Sequence, residues 1–418
     1  LSPEEVAEHQ RTRLLGAMVE AAVRHGYAGV TLQELVGSAG VSKSTFYEHF
    51  SSKEECFQAA FDQIVGESAR EVVVAYREGT DLRDGLARAL LAQAQLIAER
   101  PEHATFVLVE SLGLGTAGAP RRERGIEFFE AMISRALEED GEGEMSPLEI
   151  RGTLGGGRRI IYRRLREGHP ERFVGQAEEI LDWALGYRQP HTRGRGSGSK
   201  VSEQAFLEDA SDEEGGRPPW SDPPSSPESR AKLSQRERIM RAVAQLAGER
   251  GYAKLSVPAI SGGAGVSNQT FYREFTGKQE AFLSAFEALA EVVGEHAKAA
   301  FAKQPEWVTG LEHALGAVLT FIARNPVLAR FAFFELAAAG PAGRDASELA
   351  TQRAMAFLDP EFLPSGATPL SEVVIEAIGG GIWMIVQGEI IHGRVEPLPQ
   401  LVPELLDFIL KPLKLSGP

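Results

Sequence analysis

The chain has 418 residues, a net charge of −15 and 43% hydrophobic residues, too long for one ordinary domain but apolar enough for each part to bury a core. Its single cysteine, Cys56, excludes an internal disulfide and sets the expectation of a reducing, cytoplasmic location. The acidic balance argues against nucleic-acid binding for the chain as a whole, although an average over 418 residues says little about one small face.

The first residues carry Glu4, Glu5 and Glu8 and no apolar core, so no secretory signal is expected; with Leu1 in first place, a native start upstream is expected. Leu14, Leu15, Met18, Ala21 and Ala22 recur at helical spacing and predict a first helix stopping at Gly26. Thr31 followed by Glu34 is a capping-box signature for a short second helix. Gly40 stands where a tight inter-helix turn needs a left-handed residue, and Ser42 then caps a third helix running to Phe50. Ser51-Ser52 breaks that helix, and Lys53 opens a fourth carrying Phe57 and Phe61.

Beyond residue 60 the pattern stays helical with short Gly/Pro breaks, and alternating strand runs are missing. Gly113-Leu-Gly-Thr-Ala-Gly118 matches a dinucleotide fingerprint but follows a helical stretch rather than a strand, so it is read as a loop. From His191 to Arg230 the composition changes to Gly/Ser, then acidic residues, then Pro/Ser, which predicts a flexible linker with a reach of roughly 35 Å. The longest apolar runs, around Val373–Ile378 and Gly379–Val386, are broken by glycines and flanked by Glu372 and Glu389. No stretch approaches the ~20 residues needed to cross a bilayer, and no membrane partner is expected.

After the linker the first unit returns. Ala39-Gly-Val-Ser-Lys-Ser-Thr-Phe-Tyr-Glu-His-Phe50 meets Ala264-Gly-Val-Ser-Asn-Gln-Thr-Phe-Tyr-Arg-Glu-Phe275 at a shift of 225 residues. At that shift Lys53 meets Lys278, Phe57 meets Phe282, Arg100-Pro101 meets Asn325-Pro326 and Glu110 meets Glu335. Gly155–Gly157 aligns with Gly379–Gly381 after slipping one residue, and Leu181–Leu185 with Leu406–Leu410. A whole unit was duplicated. The expected division is a head domain at 1–60, a helical region at 61–190, the linker at 191–230, a second head domain at 231–285 and a second helical region at 286–418.

Two helices joined by a Gly-containing turn, the second polar on one side, are built to present a probe to the major groove. Phe46 and Phe50, spaced i, i+4, face inward, which leaves Lys43, Ser44, Thr45, Tyr47 and His49 outward for phosphates and base edges. Lys53, at the next helix start, is expected to clamp a phosphate.

The stretch from Thr31 through Ala39-Gly-Val-Ser-Lys-Ser-Thr-Phe-Tyr-Glu-His-Phe50 to Glu55 resembles the N-terminal domain of the tetracycline-repressor (TetR) family. Thr270-Phe-Tyr-Arg-Glu-Phe-Thr-Gly-Lys278 resembles a second one. The resemblance covers about 50 residues in each copy and is much weaker beyond. It implies an all-α fold of two tandem TetR-like units, each a three-helix helix-turn-helix domain followed by a helical ligand-binding and dimerisation domain. It further implies a double-stranded DNA operator as partner, an unidentified small-molecule effector, and pairing through the last two helices of each unit. By position it implies phosphate contacts for Tyr47, Lys53, Tyr272 and Lys278, and groove-facing places for Lys43, Ser44, Thr45, His49, Asn268, Gln269 and Thr270. The capping residues Thr31, Ser42 and Ser267 belong to the same face.

The copies are not equal. Residues 1–60 hold five Lys/Arg against eight acids, net −3, whereas residues 231–285 hold eight against four, net +4. In the second copy His49 is replaced by Glu274, which would repel phosphate, and the second helix contains Gly262-Gly263. Because Lys43-Ser44 differs from Asn268-Gln269, the two modules are expected to read different half-sites. Arg158, Arg159, Arg163, Arg164 and Arg166 crowd one helix of the first copy where the second carries Glu372, Glu376 and Glu389. This suggests that the copies pair within one chain, with a homodimer as the alternative.

No nucleophile–base–orienter set and no metal-ligand spacing stand out, so neither enzyme activity nor a cofactor is expected. Apolar effector pockets have candidates in Phe106, Phe128, Phe129, Met132 and Trp183, and in Trp307, Phe321, Phe331, Phe333, Phe334, Met355 and Trp383. The sequence reads as a DNA-binding transcriptional regulator, a repressor released by a small apolar effector. The competing reading is an effector-binding or protein-docking regulator in which one or both DNA-binding modules have lost their function, for which the first module's net −3 is the support.

Overall fold

The computed structural model describes residues 2–189 and 233–415; the stretch read as a linker, 191–230, lies outside them. Among the described residues no strand forms, and the one β-type pairing is an isolated bridge between Glu144 and Gln189. Two compact units result. Of the described residues, the first holds those up to Gly141 and Gly157–Leu185; the second holds Glu142–Gly156 and those from Gly186 onward.

In the first unit, a reciprocal capping box between Ser2 and Glu5 opens α1 (Pro3–Gly29), which turns at Gly26 (φ 72°), where the sequence placed the stop. Helices α2 (Leu32–Ala39) and α3 (Lys43–His49) pack on α1 and are followed by the long α4 (Lys53–Arg77). Their core is Leu14, Met18, Ala22, Leu35, Phe46, Phe50, Phe57 and Phe61, apolar side chains at helical spacing closing on one another. Cys56 belongs to it; burial pushes its thiol up to about 12, so it is an inert packing residue rather than a redox sensor. The regulatory part adds α5 (Leu82–Glu99), α6 (Pro101–Leu108), α7 (Gly115–Asp140), α8 (Pro147–Arg166, its N-terminal half assigned to the second unit) and α9 (Arg172–Leu185).

Two expectations are corrected here. Glu34 does not complete a capping box: Thr31 accepts the Glu34 N–H (3.2 Å), but the Glu34 carboxylate turns to His25 Nε2 (3.0 Å). The Gly113–Gly118 stretch is not a loop. It is the end of a 3₁₀ turn (Glu110–Leu114) and the first turn of α7, fastened by the buried Arg122, which donates to the carbonyls of Ser111 (2.6 Å) and Gly115 (3.1 Å).

The second unit repeats the plan with α10 (Gln235–Arg250), α11 (Val257–Ala264), α12 (Asn268–Glu274), α13 (Lys278–Ala302), α14 (Trp307–Arg324) and α15 (Pro326–Arg330). A single π turn (Phe331–Glu335), α16 (Pro341–Met355), α17 (Glu372–Ile391) and α18 (Val402–Leu413) complete it. Within this unit the segment Glu142–Gly156, which is first-copy sequence, packs against α17 and α18. A Cβ on Gly152 would lie 2.5 Å from the Phe408 ring, and one on Gly155 would lie 2.7 Å from the Gly380 carbonyl oxygen. Only glycine permits that approach. Tyr187 stacks on Phe408 (ring centroids 4.7 Å apart) and donates its hydroxyl to the Phe408 carbonyl (2.7 Å), while Lys411 pairs with Glu149.

Helix α17 also corrects the reading that no stretch nears a bilayer's thickness. It is 20 residues long, and an 18-residue window within it has mean hydropathy 1.5, so it is long and apolar enough to cross a membrane by length and composition, because its glycines do not interrupt the helix. The packing around Gly380, Gly381 and Met384 accounts for its character: 56% of that apolar window is buried within the protein, as befits a core helix.

Candidate nucleic-acid interface

Each head domain builds the same two-helix corner. In the first, Gly40 ends α2 in the left-handed region (φ 61°, ψ 40°), and Ser42 accepts the Thr45 N–H at 3.0 Å to start α3. In the second, Gly265 (φ 64°, ψ 42°) and Ser267, accepting the Thr270 N–H at 3.0 Å, do the same for α12. A side chain with a Cβ resists that left-handed turn, so the glycine fixes where the probe helix begins.

The inward faces are Phe46 and Phe50, Phe271 and Phe275, all buried as their spacing requires. Outward stand Tyr47, 59% exposed, and Tyr272, 60% exposed. Lys43, Ser44, Asn268 and Gln269 are exposed beside them. Thr45, Thr270 and His49 are only half exposed: the two threonine hydroxyls turn back to the cap serines (2.9 and 3.0 Å), and His49 Nε2 faces Gln10 Oε1 at 3.4 Å. Glu274, read as a phosphate repeller, has its carboxylate 3.5 Å from Arg273 Nε, which offsets its charge locally.

Lys53 and Lys278 have a structural task that the sequence did not reveal. Lys53 Nζ donates to the carbonyls of Tyr27 (3.0 Å) and Val30 (2.9 Å) and lies 4.4 Å from the Tyr27 ring centre. Lys278 reaches Tyr252 (3.4 Å), Leu255 (3.3 Å) and the Tyr252 ring (4.6 Å). Partial burial lowers the Lys53 pKa, and two of its three ammonium protons serve these carbonyls.

Head domain and regulatory region meet at residues that the 225-residue shift aligns without explaining. Phe106 lies 4.2 Å from Phe57 between ring centroids, and its repeat partner Phe331 lies 4.9 Å from Phe282. Both belong to the cores of the two head domains, which removes them from the candidate effector-pocket residues. The buried carboxylates of Glu110 and Glu335 sit at the turn that ends each first helix, beside Gly26 and Gly251. Glu335 Oε2 accepts the Tyr252 N–H at 2.8 Å. Glu335→Ala would leave that N–H without its acceptor and is expected to cost about 1–3 kcal/mol in denaturant unfolding. Glu335→Gln keeps a side-chain oxygen and is expected to lose less than half as much.

The model of the family described as bacterial regulatory proteins, tetR family, matches residues 14–60 and again 239–285. Those spans contain both two-helix corners described above. The chain carries the tetR-family DNA-binding domain twice, in tandem. Among curated relatives, it is 38% identical over 85 residues to the HTH-type transcriptional activator FasR of Mycolicibacterium smegmatis, covering 20% of this chain and 39% of the relative. It is 24% identical over 105 residues to the uncharacterized HTH-type transcriptional regulator YerO of Bacillus subtilis, covering 25% of this chain and 36% of that protein. The chain thus spans less than two fifths of the length of either relative. Among solved structures it is similar to the fatty acid degradation regulator FadR from Bacillus halodurans (17% identity, TM-score 0.38, 45% of this chain and 99% of that one).

Proposed function

We propose that this tandem tetR-family chain is a sequence-specific DNA-binding transcriptional regulator whose two copies act as an intramolecular pair. The observation that carries the proposal is the matched pair of short, serine-capped helices, each offering a tyrosine with three fifths of its surface in solvent beside polar side chains of groove-reading type. Pairing within one chain is supported by the second unit, where the first-copy segment Glu142–Gly156 packs on α17 and α18 through glycines too close for any side chain. DNA release by a small apolar effector is part of the proposal, supported by the aromatic side chains remaining in the regulatory regions, among them the stacked Phe333 and Trp383 (4.2 Å).

The test uses the full chain, a duplex selected from a random pool, and a salt titration. Tyr47→Ala and Tyr272→Ala are each expected to weaken binding about tenfold, and affinity should fall steeply as salt rises. If Tyr272→Ala changes nothing, the second module is not a reader. Salt-insensitive or absent binding would favour the docking reading to which the first module's net −3 points. We propose repression as the direction of control. Because the Mycolicibacterium relative is named an activator, a reporter behind the selected operator decides it: expression should rise when the gene is deleted, and a fall would make the chain an activator.

A further inference from the structure

The two reading helices share their docking parts and differ in the side chains presented from them. The cap distances are the same (3.0 Å), the tyrosines are equally exposed, and the following lysine binds the same two carbonyl positions in each module. A common scaffold holds each helix against its own stretch of DNA in one manner, with Tyr47 and Tyr272 on phosphates. Four of the seven helical positions differ, the first two and the last two. In the first module Ser44 Oγ lies 2.6 Å from Ser42 Oγ, so its short side chain is drawn into the cap and Lys43 is left as the long exposed donor. In the second module Ser267 reaches only Thr270 among its neighbours, and Asn268 and Gln269 are exposed and hydrogen-bonded to no described residue. At the last two positions the second module has Arg273, held by Gln235 and Glu274, and Glu274 itself, its carboxylate 3.5 Å from Arg273 Nε, so neither is left as free as Asn268 and Gln269.

An ammonium donates to the N7 and O6 acceptors of guanine, whereas a carboxamide matches the N6 donor and N7 acceptor of adenine. We propose that the chain selects an asymmetric operator of two half-sites of equal length, one with guanine opposite Lys43 and the other with adenine opposite Asn268 and Gln269. This rests on the DNA-binding reading above and adds which letters differ and which residues read them.

The decisive experiment selects duplexes from a random pool with the parent chain and two exchange variants. The parent is expected to enrich a site whose halves differ. N268K/Q269S is expected to enrich two guanine-bearing halves, and K43N/S44Q two adenine-bearing halves. Gln269→Ala should weaken binding to the parent site about tenfold and relax the choice at the adenine step alone. All these positions are exposed, and matching circular dichroism melts keep a folding failure out of the comparison. Identical halves from the parent, enrichment of a single half, or exchanges that leave the selected site unchanged would each overturn the proposal. Failure to enrich anything, with no salt-dependent duplex binding, would instead overturn the DNA-binding reading beneath it.

Discussion

Phe331→Ala is expected to destabilise the second unit by about 3–5 kcal/mol, the usual range for emptying a phenylalanine site in a packed core. The Phe331 ring is fully buried, edge-on to Phe282 at 4.9 Å and near Phe286 at 6.4 Å, in a cluster reaching from Ile239 on α10 to Leu336. It lies in the π turn between α15 and the 3₁₀ turn that follows. The same side chain joins head domain to regulatory region, so the variant should lose duplex affinity along with stability. Phe106→Ala removes the repeat-equivalent ring, 4.2 Å from Phe57, and should lower the first unit by a similar amount. Because the chain has two compact units, denaturant unfolding followed by near-UV and far-UV signals should show the transition of the altered unit move while the other stays. A loss below about 1 kcal/mol in both variants would mean that the head domains do not depend on this junction.

The head domains are legible in the sequence because their determinants are local. A serine three residues before the N–H it caps, a glycine at the left-handed turn and phenylalanines four apart are each visible in a short window, and each stands where its spacing puts it. The duplication helps further by aligning Glu110 with Glu335 across 225 residues, although nothing in the sequence says what the carboxylates bind. What stays hidden is long-range. Lys53 and Lys278 meet carbonyls 26 and 23 residues away, and Glu34 prefers His25 to its own helix terminus, choices made by packing rather than by spacing. Phe106 reads as a pocket residue because an isolated apolar side chain in a helix gives no sign of which core claims it. The apolar length of α17 is underestimated for a related reason. Glycine reads as a breaker in sequence, but at Gly380 and Gly381 it serves close packing inside one continuous helix.

Gly155→Leu should be the sharper test of the pairing of the two copies. A Cβ at Gly155 would stand 2.7 Å from both the Gly380 carbonyl oxygen and Met384 Cβ, and 3.0 Å from Gly381 Cα. Two of those three atoms are helix backbone, which cannot rotate away as a flexible side chain would. The remaining Leu atoms must then force the segment off α17, at a cost of about 3 kcal/mol, the upper end of ordinary overpacking. Two residues on, Gly157→Ala meets nothing within 4 Å and removes a flexible helical residue, so it should be neutral or stabilise by about 0.5–1 kcal/mol. The contrast separates packing from helix propensity, since both positions lie in α8. If the copies pair within one chain through this contact, light scattering of Gly155→Leu should show either an expanded monomer or chains that recruit each other, and cooperative binding to a two-half operator should be lost. If the parent is already a two-chain particle and Gly155→Leu leaves its mass and operator affinity unchanged, intramolecular pairing is refuted, while a tetR-family fold with two readers would still stand.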